Sequence, residues 1–182
     1  MVELNLTIDD EIKQFSIPQS WDEVTIDEFI KLFSFDRETL TEVELNIKTI
    51  QAFTNIDEEL LLMFDLKDFN MLCEQLSFTN VNMTPQSKES IIVDDIEYFV
   101  KKDFDSLSMG EMISIETIIK QTNGNFLKSI DKLLCIFLRK KKENGNLEAF
   151  RTEHMERAER FRTIPITQVY DVFNFFSDGV NS

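Results

Sequence analysis

One local pattern occurs twice in this chain, and it constrains the fold more than any other feature of the sequence. In the first copy, two short β-runs around Asp9-Asp10-Glu11 precede an aromatic residue followed by Asp, and then Thr25-Ile26-Asp27-Glu28. In the second copy, two β-runs around Asp94-Asp95 precede the same kind of pair and then Ser108-Met109-Gly110-Glu111. Each four-residue segment is typical of a capping box that starts a helix. The repeat therefore predicts a scaffold of two similar halves.

Apolar residues at helical spacing predict that helices make up most of the chain. The predicted helices cover 26–35, 41–54, 58–64, 66–76, 108–122, 126–139, 147–161 and a last segment capped by Thr167. With the two hairpins, this predicts an α+β, mainly α-helical fold of two similar halves, each a β-hairpin followed by a packed helical cluster. We place the first half at 1–80, a polar linker at 81–89 and the second half at 90–177. An insertion at 139–162 distinguishes the second half from the first.

The composition argues against several classes of protein and partner. The 182 residues carry a formal net charge of −15, which repels nucleic acid and anionic membranes. No apolar run approaches the about 20 residues needed to cross a bilayer. We therefore expect no membrane partner and no specific nucleic-acid partner. Cys73 and Cys135 are isolated in apolar helical patterns, which predicts reduced core cysteines rather than a disulfide.

The sequence contains no recognisable motif for catalysis or for binding a cofactor. It has neither a glycine-rich phosphate loop nor a nucleophile elbow. The single histidine, His154, lies in a charged helical pattern, which favours a structural role. One histidine and two distant cysteines are too few for a zinc site. We expect no cofactor, no metal and no enzymatic activity. An enzyme that uses only carboxylates stays an alternative, and it requires a pocket with two acids of shifted pKa.

A basic segment stands out in this acidic chain and is the candidate interaction surface. It lies in the 139–162 insertion and comprises Arg139, Lys140, Lys141, Lys142, Arg151, Arg157, Arg160 and Arg162. Basic side chains near the end of a helix also complement its dipole, so part of the segment has a local explanation. The functional alternative is a docking surface for an acidic partner or for the acidic first half of a second copy. Nucleic-acid binding is a third interpretation, which the lack of interleaved aromatic residues and the overall charge oppose.

The order of several motifs resembles a known group of proteins. A hairpin precedes the stretch Trp21-Asp22-Glu23-Val24-Thr25, and later motifs are residues 107–113, Phe137-Leu138-Arg139 and Phe175-Phe176. This order resembles small structural or assembly proteins of tailed bacteriophages, including the crAss-like phages of gut Bacteroides. The resemblance spans most of the chain.

The resemblance to phage proteins implies a non-enzymatic part of the virion. That part is a tail assembly chaperone, a component of the head–tail ring region, or cargo in the particle. The implied partners are other phage virion proteins and further copies of this chain, as a homo-oligomer or in a ring. The implied location is the virion, after assembly in the host bacterial cytoplasm. The alternative function is a small acidic regulator that binds a basic site on a host protein.

Overall fold

The first half begins with the predicted hairpin. Strand β1 (Val2–Ile8) pairs antiparallel with β2 (Glu11–Ile17) in a two-stranded sheet. The computed structural model describes residues 1–8, 11–86, 88–102 and 105–173, so the turn residues Asp9-Asp10 lie outside the described part. Four α-helices and three 3₁₀ turns follow: α1 (Ile26–Leu32), α2 (Glu42–Thr54), α3 (Glu58–Leu61) and α4 (Leu66–Gln75), with the turns at Trp21–Glu23, Arg37–Thr39 and Ser77–Asn80.

Both predicted capping boxes are confirmed, and α2 starts with a third. In the first, the Thr25 hydroxyl accepts a hydrogen bond from Glu28 N–H at 3.3 Å, and Thr25 N–H donates to the Glu28 carboxylate at 2.7 Å. These bonds satisfy N–H groups that have no acceptor within the helix. The three boxes pair Thr25 with Glu28, Thr41 with Glu44, and Ser108 with Glu111.

The second half also begins with its predicted hairpin. Strand β3 (Ser90–Val93) pairs antiparallel with β4 (Ile96–Val100). Asp94-Asp95 forms the turn with φ values of 50° and 60°, the positive values that a two-residue hairpin turn needs. Helix α5 (Met109–Gln121) follows, and Asn123-Gly124 ends it with φ values of 51° and 85°. The mainly helical α+β fold is therefore as the sequence predicted.

The predicted helix 126–139 is wrong at both ends. Residues Phe126–Ser129 form a 3₁₀ turn, and α6 covers only Ile130–Phe137. The last two residues form strand β5 (Leu138–Arg139), which pairs antiparallel with β4 and completes a three-stranded sheet. The apolar pattern does not distinguish a helix from a strand here, because Leu138 is buried in β5 and would also be buried on the apolar face of a helix. Hydrogen bonds to β4 decide the conformation.

The predicted helix 147–161 is also wrong, because its first part is extended. Leu147 forms a β-bridge with Lys141, Thr152–Arg157 is a 3₁₀ helix, and only Ala158–Phe161 (α7) is α-helical. The charged residues make long-range ion pairs here, which override the local helical preference. Thr167 likewise lies within a 3₁₀ turn (Ile166–Gln168) rather than at a helix cap, and helical structure starts at residue 170.

The two halves share one hydrophobic core and are joined by backbone hydrogen bonds. Ile50 and Leu72 belong to the same buried cluster as Leu133 and Phe161. At the start of α1, the N–H groups of residues 26 and 27 donate to the carbonyls of residues 164 and 162 at 2.9 and 3.1 Å. The second half thus supplies acceptors that the first turn of a helix lacks. The internal similarity of the halves stays a prediction.

The predicted linker contacts both halves. Trp21 Nε1–H donates to the carbonyl of Val81 at 2.8 Å. The backbone N–H of Gln86 donates to the carbonyl of Thr167 at 2.8 Å, and its side chain donates to Asp22 at 2.7 Å. Trp21 therefore packs at the junction between the first hairpin and the linker.

Replacing glycine by alanine should have opposite effects on stability at two positions. Gly124 has φ +85°, so Gly124→Ala should lower the free energy of unfolding by about 1 kcal/mol. Gly110 lies in α5, where an added Cβ would be in normal van der Waals contact with Phe150 at 3.9 Å. Gly110→Ala should therefore raise the free energy of unfolding by about 0.5 kcal/mol. Urea unfolding followed by circular dichroism measures both, and effects of the same sign would contradict these helix boundaries.

Candidate functional site

Glu111 is the centre of a buried cluster of charged side chains at the start of α5. It is 4% exposed, and its Oε2 accepts a hydrogen bond from Ser108 N–H at 2.7 Å. Its Oε1 accepts from Arg139 Nη2 at 3.0 Å, and Lys101 Nζ lies 3.0 and 2.9 Å from the two oxygens. Burial acts to raise the pKa of Glu111, but these hydrogen bonds outweigh it and lower the pKa to about 2. The carboxylate is therefore ionised at neutral pH.

Arg139 is the buried cation that faces Glu111, and only 1% of it is exposed. Its Nη1 donates to the carbonyl of Cys135 and lies 3.3 Å from Nδ1 of His154. The guanidinium carbon lies 4.8 Å from the centroid of the Phe150 ring, in a cation–π contact. Its Nε has no hydrogen-bond partner within the described residues. Arg139 therefore holds together α5, α6 and the segment after Leu147.

Glu148 and Arg157 form a second ion pair beside the first. The Arg157 guanidinium donates to both carboxylate oxygens of Glu148, and the backbone N–H of Lys140 donates to Oε1 at 3.1 Å. Burial raises the pKa of this carboxyl too, but the bonds from Arg157 and Lys140 outweigh it and lower the pKa to about 2. Glu148 is therefore also a permanent anion at neutral pH.

His154 lies between the two ion pairs. Its Nδ1 is 3.3 Å from Arg139 Nη1, and its Nε2 is 3.7 Å from Glu148 Oε2. Because a guanidinium can only donate, Nδ1 is the acceptor and the ring proton resides on Nε2, towards Glu148. Burial, followed by the charge of Arg157, lowers the pKa of His154. The ring is therefore neutral at pH 7.

A cavity of about 610 Å³ opens beside this cluster. Its lining residues are Val100, Lys101, Lys102, Ser106, Ser108, Glu111, Arg139, Leu147, Glu148, Ala149 and Phe150. Catalysis by two carboxylates needs one that holds a proton, and hence one with a raised pKa. The pKa values of Glu111 and Glu148 are shifted the other way, and each acid has a basic partner. The cavity thus contains two acids of shifted pKa, but both values are lowered, so this pair lacks the protonated acid; the carboxylate enzyme stays an alternative that nothing here tests.

Within the described part of the chain, the two cysteines and the metal-ligating types of side chain were the other candidates for chemistry. Burial raises the pKa of the Cys135 thiol to about 12 and also raises that of Cys73, so neither forms a thiolate at neutral pH. Across 1–8, 11–86, 88–102 and 105–173, the structure brings together no three His, Cys, Asp or Glu side chains that would hold a metal ion. The contacts within the cluster are internal hydrogen bonds and ion pairs.

Three of the predicted interaction residues are paired with acids of the same chain, and one of them, Arg139, is buried. The prediction of Arg139 as an interaction residue is wrong, because a side chain that is 1% exposed is not available to a partner. Arg157 is paired with Glu148. Arg162 Nε lies 2.9 Å from Asp131 Oδ2, which is 3% exposed, and this bond ties the end of α7 to α6.

The other five predicted interaction residues lie at or near the surface. Lys142 and Arg151 are exposed, and Arg160 is 57% exposed with Asp94 at 3.9 Å. The Nζ atoms of Lys140 and Lys141 lie 5.6 and 3.6 Å from the ring centroids of Tyr98 and Phe99, respectively. Their role in binding a partner stays a prediction.

Two members of the buried cluster were missed by the sequence reasoning, and a third was assigned only part of its role. Lys101 and Glu148 carried no local signal, because their partners are ten and nine positions away in extended or irregular chain. Glu111 was predicted as a cap but not as the partner of Arg139. An arginine at the end of a strongly apolar run was the one available signal of a buried cation that needs an acid to face it.

Two short stretches of the described chain each expose three large apolar side chains. The first, the α3–α4 apolar patch, consists of Leu62, Met63 and Leu66, which are 68%, 69% and 74% exposed. The second, the α5 apolar stripe, consists of Met109, Met112 and Ile113, which are 75%, 38% and 56% exposed. The stripe follows the spacing of one helix face, opposite the buried Ile115 and Ile118. Contiguous exposed apolar residues of this kind mark contact surfaces.

Comparison with protein-family models, with curated proteins and with solved structures gave no match. Among the described residues, no helix is long and apolar enough to span a bilayer.

The acid sensitivity of the fold should depend on Glu148. Its folded-state pKa of about 2 lies below the ordinary 4.5, so the unfolded chain binds more protons and stability falls as pH drops through this window. In Glu148→Gln, the free energy of unfolding should fall less steeply over the same range, and it should already be lower at pH 7 because Arg157 loses its partner. Urea unfolding at a series of pH values measures this. Glu143→Gln, at an exposed hairpin position, is the control and should behave as wild type.

Proposed function

We propose that this chain is a non-enzymatic component or assembly protein of a tailed-phage particle, in the head–tail ring region, as cargo, or as a tail assembly chaperone. It acts through protein–protein contacts and in multiple copies. The role in protein–protein contacts is supported mainly by the two exposed apolar surfaces, one at α3–α4 and one on α5. A helix that faces only water normally presents polar side chains there.

The charge cluster supports a role without chemistry. Glu111 and Glu148 are each neutralised by neighbouring basic groups, and their lowered pKa values leave neither as a proton donor. A cluster of this kind positions helices against a sheet and contributes to a single rigid packing. The assignment to phage particles is supported by the motif order at 21–25, 107–113 and 137–139.

A small acidic regulator is the second candidate, and the distribution of charge favours it. Arg139, Arg157 and Arg162 are matched by acids inside the fold. The net charge of −15 is therefore carried by the rest of the surface. A field of this sign steers the protein towards a basic site on a host protein.

Quantitative mass spectrometry of purified particles of the phage that encodes this chain separates the two candidates. A virion component should be present at many copies per particle, at a constant ratio to the major capsid protein. A chaperone should be absent from particles yet bound to virion proteins before assembly. Absence from particles together with one-to-one capture of a host protein would contradict the proposal and support the regulator.

A further inference from the structure

The cavity beside the charged cluster is large enough to hold a small molecule. Its volume is about 610 Å³, and sites for small molecules typically have about 300–1,000 Å³. Part of its lining is apolar: Val100 at the end of β4, with Leu147 and Phe150 from the chain reversal at 140–151, which a bridge between Lys141 and Leu147 closes. These three side chains are only partly buried, so an apolar ligand that covered them would remove further apolar surface from water.

The two acids of the cavity have little capacity to bind a further cation. Three neighbouring residues donate hydrogen bonds to the oxygens of Glu111: Lys101, Ser108 and Arg139. Those bonds take up the about four acceptor sites of a carboxylate. Arg157 and the backbone N–H of Lys140 likewise donate to Glu148. A cationic ligand would therefore have to displace an existing partner.

Hydrogen-bond donors without acceptors, in contrast, are present in the lining. Lys102 is exposed, and its ammonium group has no hydrogen bond or ion pair within the part of the chain that the structure describes. Arg139 Nε–H also has no acceptor there. Lys101 differs, because its Nζ already donates to Glu111 and to the carbonyl of Ser106. The unused capacity is thus that of donors, which favours a ligand with acceptor oxygens.

The charge beside the cavity is positive, although the whole chain is acidic. Among the described residues, the lining contains three cations and two anions: Lys101, Lys102, Arg139, Glu111 and Glu148. Arg157 pairs with Glu148 in addition, which increases the local excess of positive charge. The net charge of −15 repels anions, but the Debye length is about 8 Å at about 0.15 M ionic strength. At physiological salt the nearby cations therefore determine which charge the cavity favours.

We propose that this cavity binds a small organic anion, with the anionic group of the ligand against Lys102 and its apolar body against the apolar part of the lining. The ligand class is an aromatic or aliphatic compound with one carboxylate, sulfonate or phosphate group, since each of these groups supplies acceptor oxygens and negative charge. The inference goes beyond the proposed function and does not depend on it, because an assembly protein can bind a small molecule without acting on it.

Three probes separate the contribution of charge from that of apolar surface. 2-Naphthoate has both features, 2-naphthylmethylamine has the same ring system with a positive charge at pH 7, and inorganic phosphate has negative charge without a ring. In a titration followed by heteronuclear NMR at about 0.15 M salt, 2-naphthoate should shift the amide signals of the lining, including those of Lys102 and Phe150. The other two probes should each bind about tenfold more weakly or less.

Two charge variants test whether 2-naphthoate lies in the cavity. Lys102→Glu reverses the unpaired cation, and Ala149→Glu adds an anion to the lining from a different segment of the chain. Both positions are exposed, so both variants should fold as wild type. Each should bind 2-naphthoate about tenfold more weakly. Lys120→Glu, an exposed charge reversal at the other end of α5, is the matched control and should bind as wild type does.

Several results would overturn the proposal. 2-Naphthoate that leaves the amide signals of the lining unchanged would show that the cavity does not bind this class of ligand. An amine that binds as tightly as the carboxylate would contradict the role of charge, and phosphate that binds as tightly would contradict the role of the apolar lining. Lining variants that bind 2-naphthoate as tightly as the control variant would place the ligand elsewhere on the protein.

Discussion

The buried ion pair between Glu111 and Arg139 is the interaction on which the second half of the fold depends. It joins the first turn of α5 to β5, and Lys101, just after β4, contacts the same carboxylate at 2.9 Å. Removing two charges from water costs several kcal/mol per ion, so the pair persists only where hydrogen bonds satisfy the remaining groups. Ser108 and the carbonyl of Cys135 supply two of those bonds, whereas Arg139 Nε has no partner within the described residues. The result is one defined position of α5 against the three-stranded sheet.

This internal use of charge determines what the surface presents. Arg139, Arg157 and Arg162 lie against Glu111, Glu148 and Asp131, respectively, so part of the basic insertion is used inside the fold. What remains outside is the chain reversal at 140–151 with its exposed lysines, the two apolar surfaces and a large excess of acid. The lowered pKa values of Glu111 and Glu148 keep both carboxylates ionised, so the ion pairs of the cluster are in place at neutral pH.

Sequence reasoning succeeded where a structural signal is local and failed where distant partners decide. The capping boxes at Thr25 and Ser108 and the turn at Asp94-Asp95 are fixed by neighbouring residues, and all three are present. Residues 138–139 are extended because they pair with β4, and Leu147 leaves the helical pattern because it forms a bridge with Lys141; no periodicity reveals either contact. The candidate site shares this difficulty. Arg139 meets Glu111 only through the register of β5 on β4, so the sequence placed it on the surface instead.

The most direct test compares Glu111→Gln with Glu28→Gln by urea unfolding at pH 7. Both glutamates occupy the same position of a capping box and make the same local bonds, but only Glu111 faces a buried arginine. In Glu28→Gln the new side chain can still accept from Thr25 N–H, so only a negative charge near the helix N-terminus is lost and the free energy of unfolding should fall by about 0.5 kcal/mol. Leaving Arg139 buried without its partner should cost about 3–5 kcal/mol in Glu111→Gln. Equal losses in the two variants would contradict the central role of the buried pair.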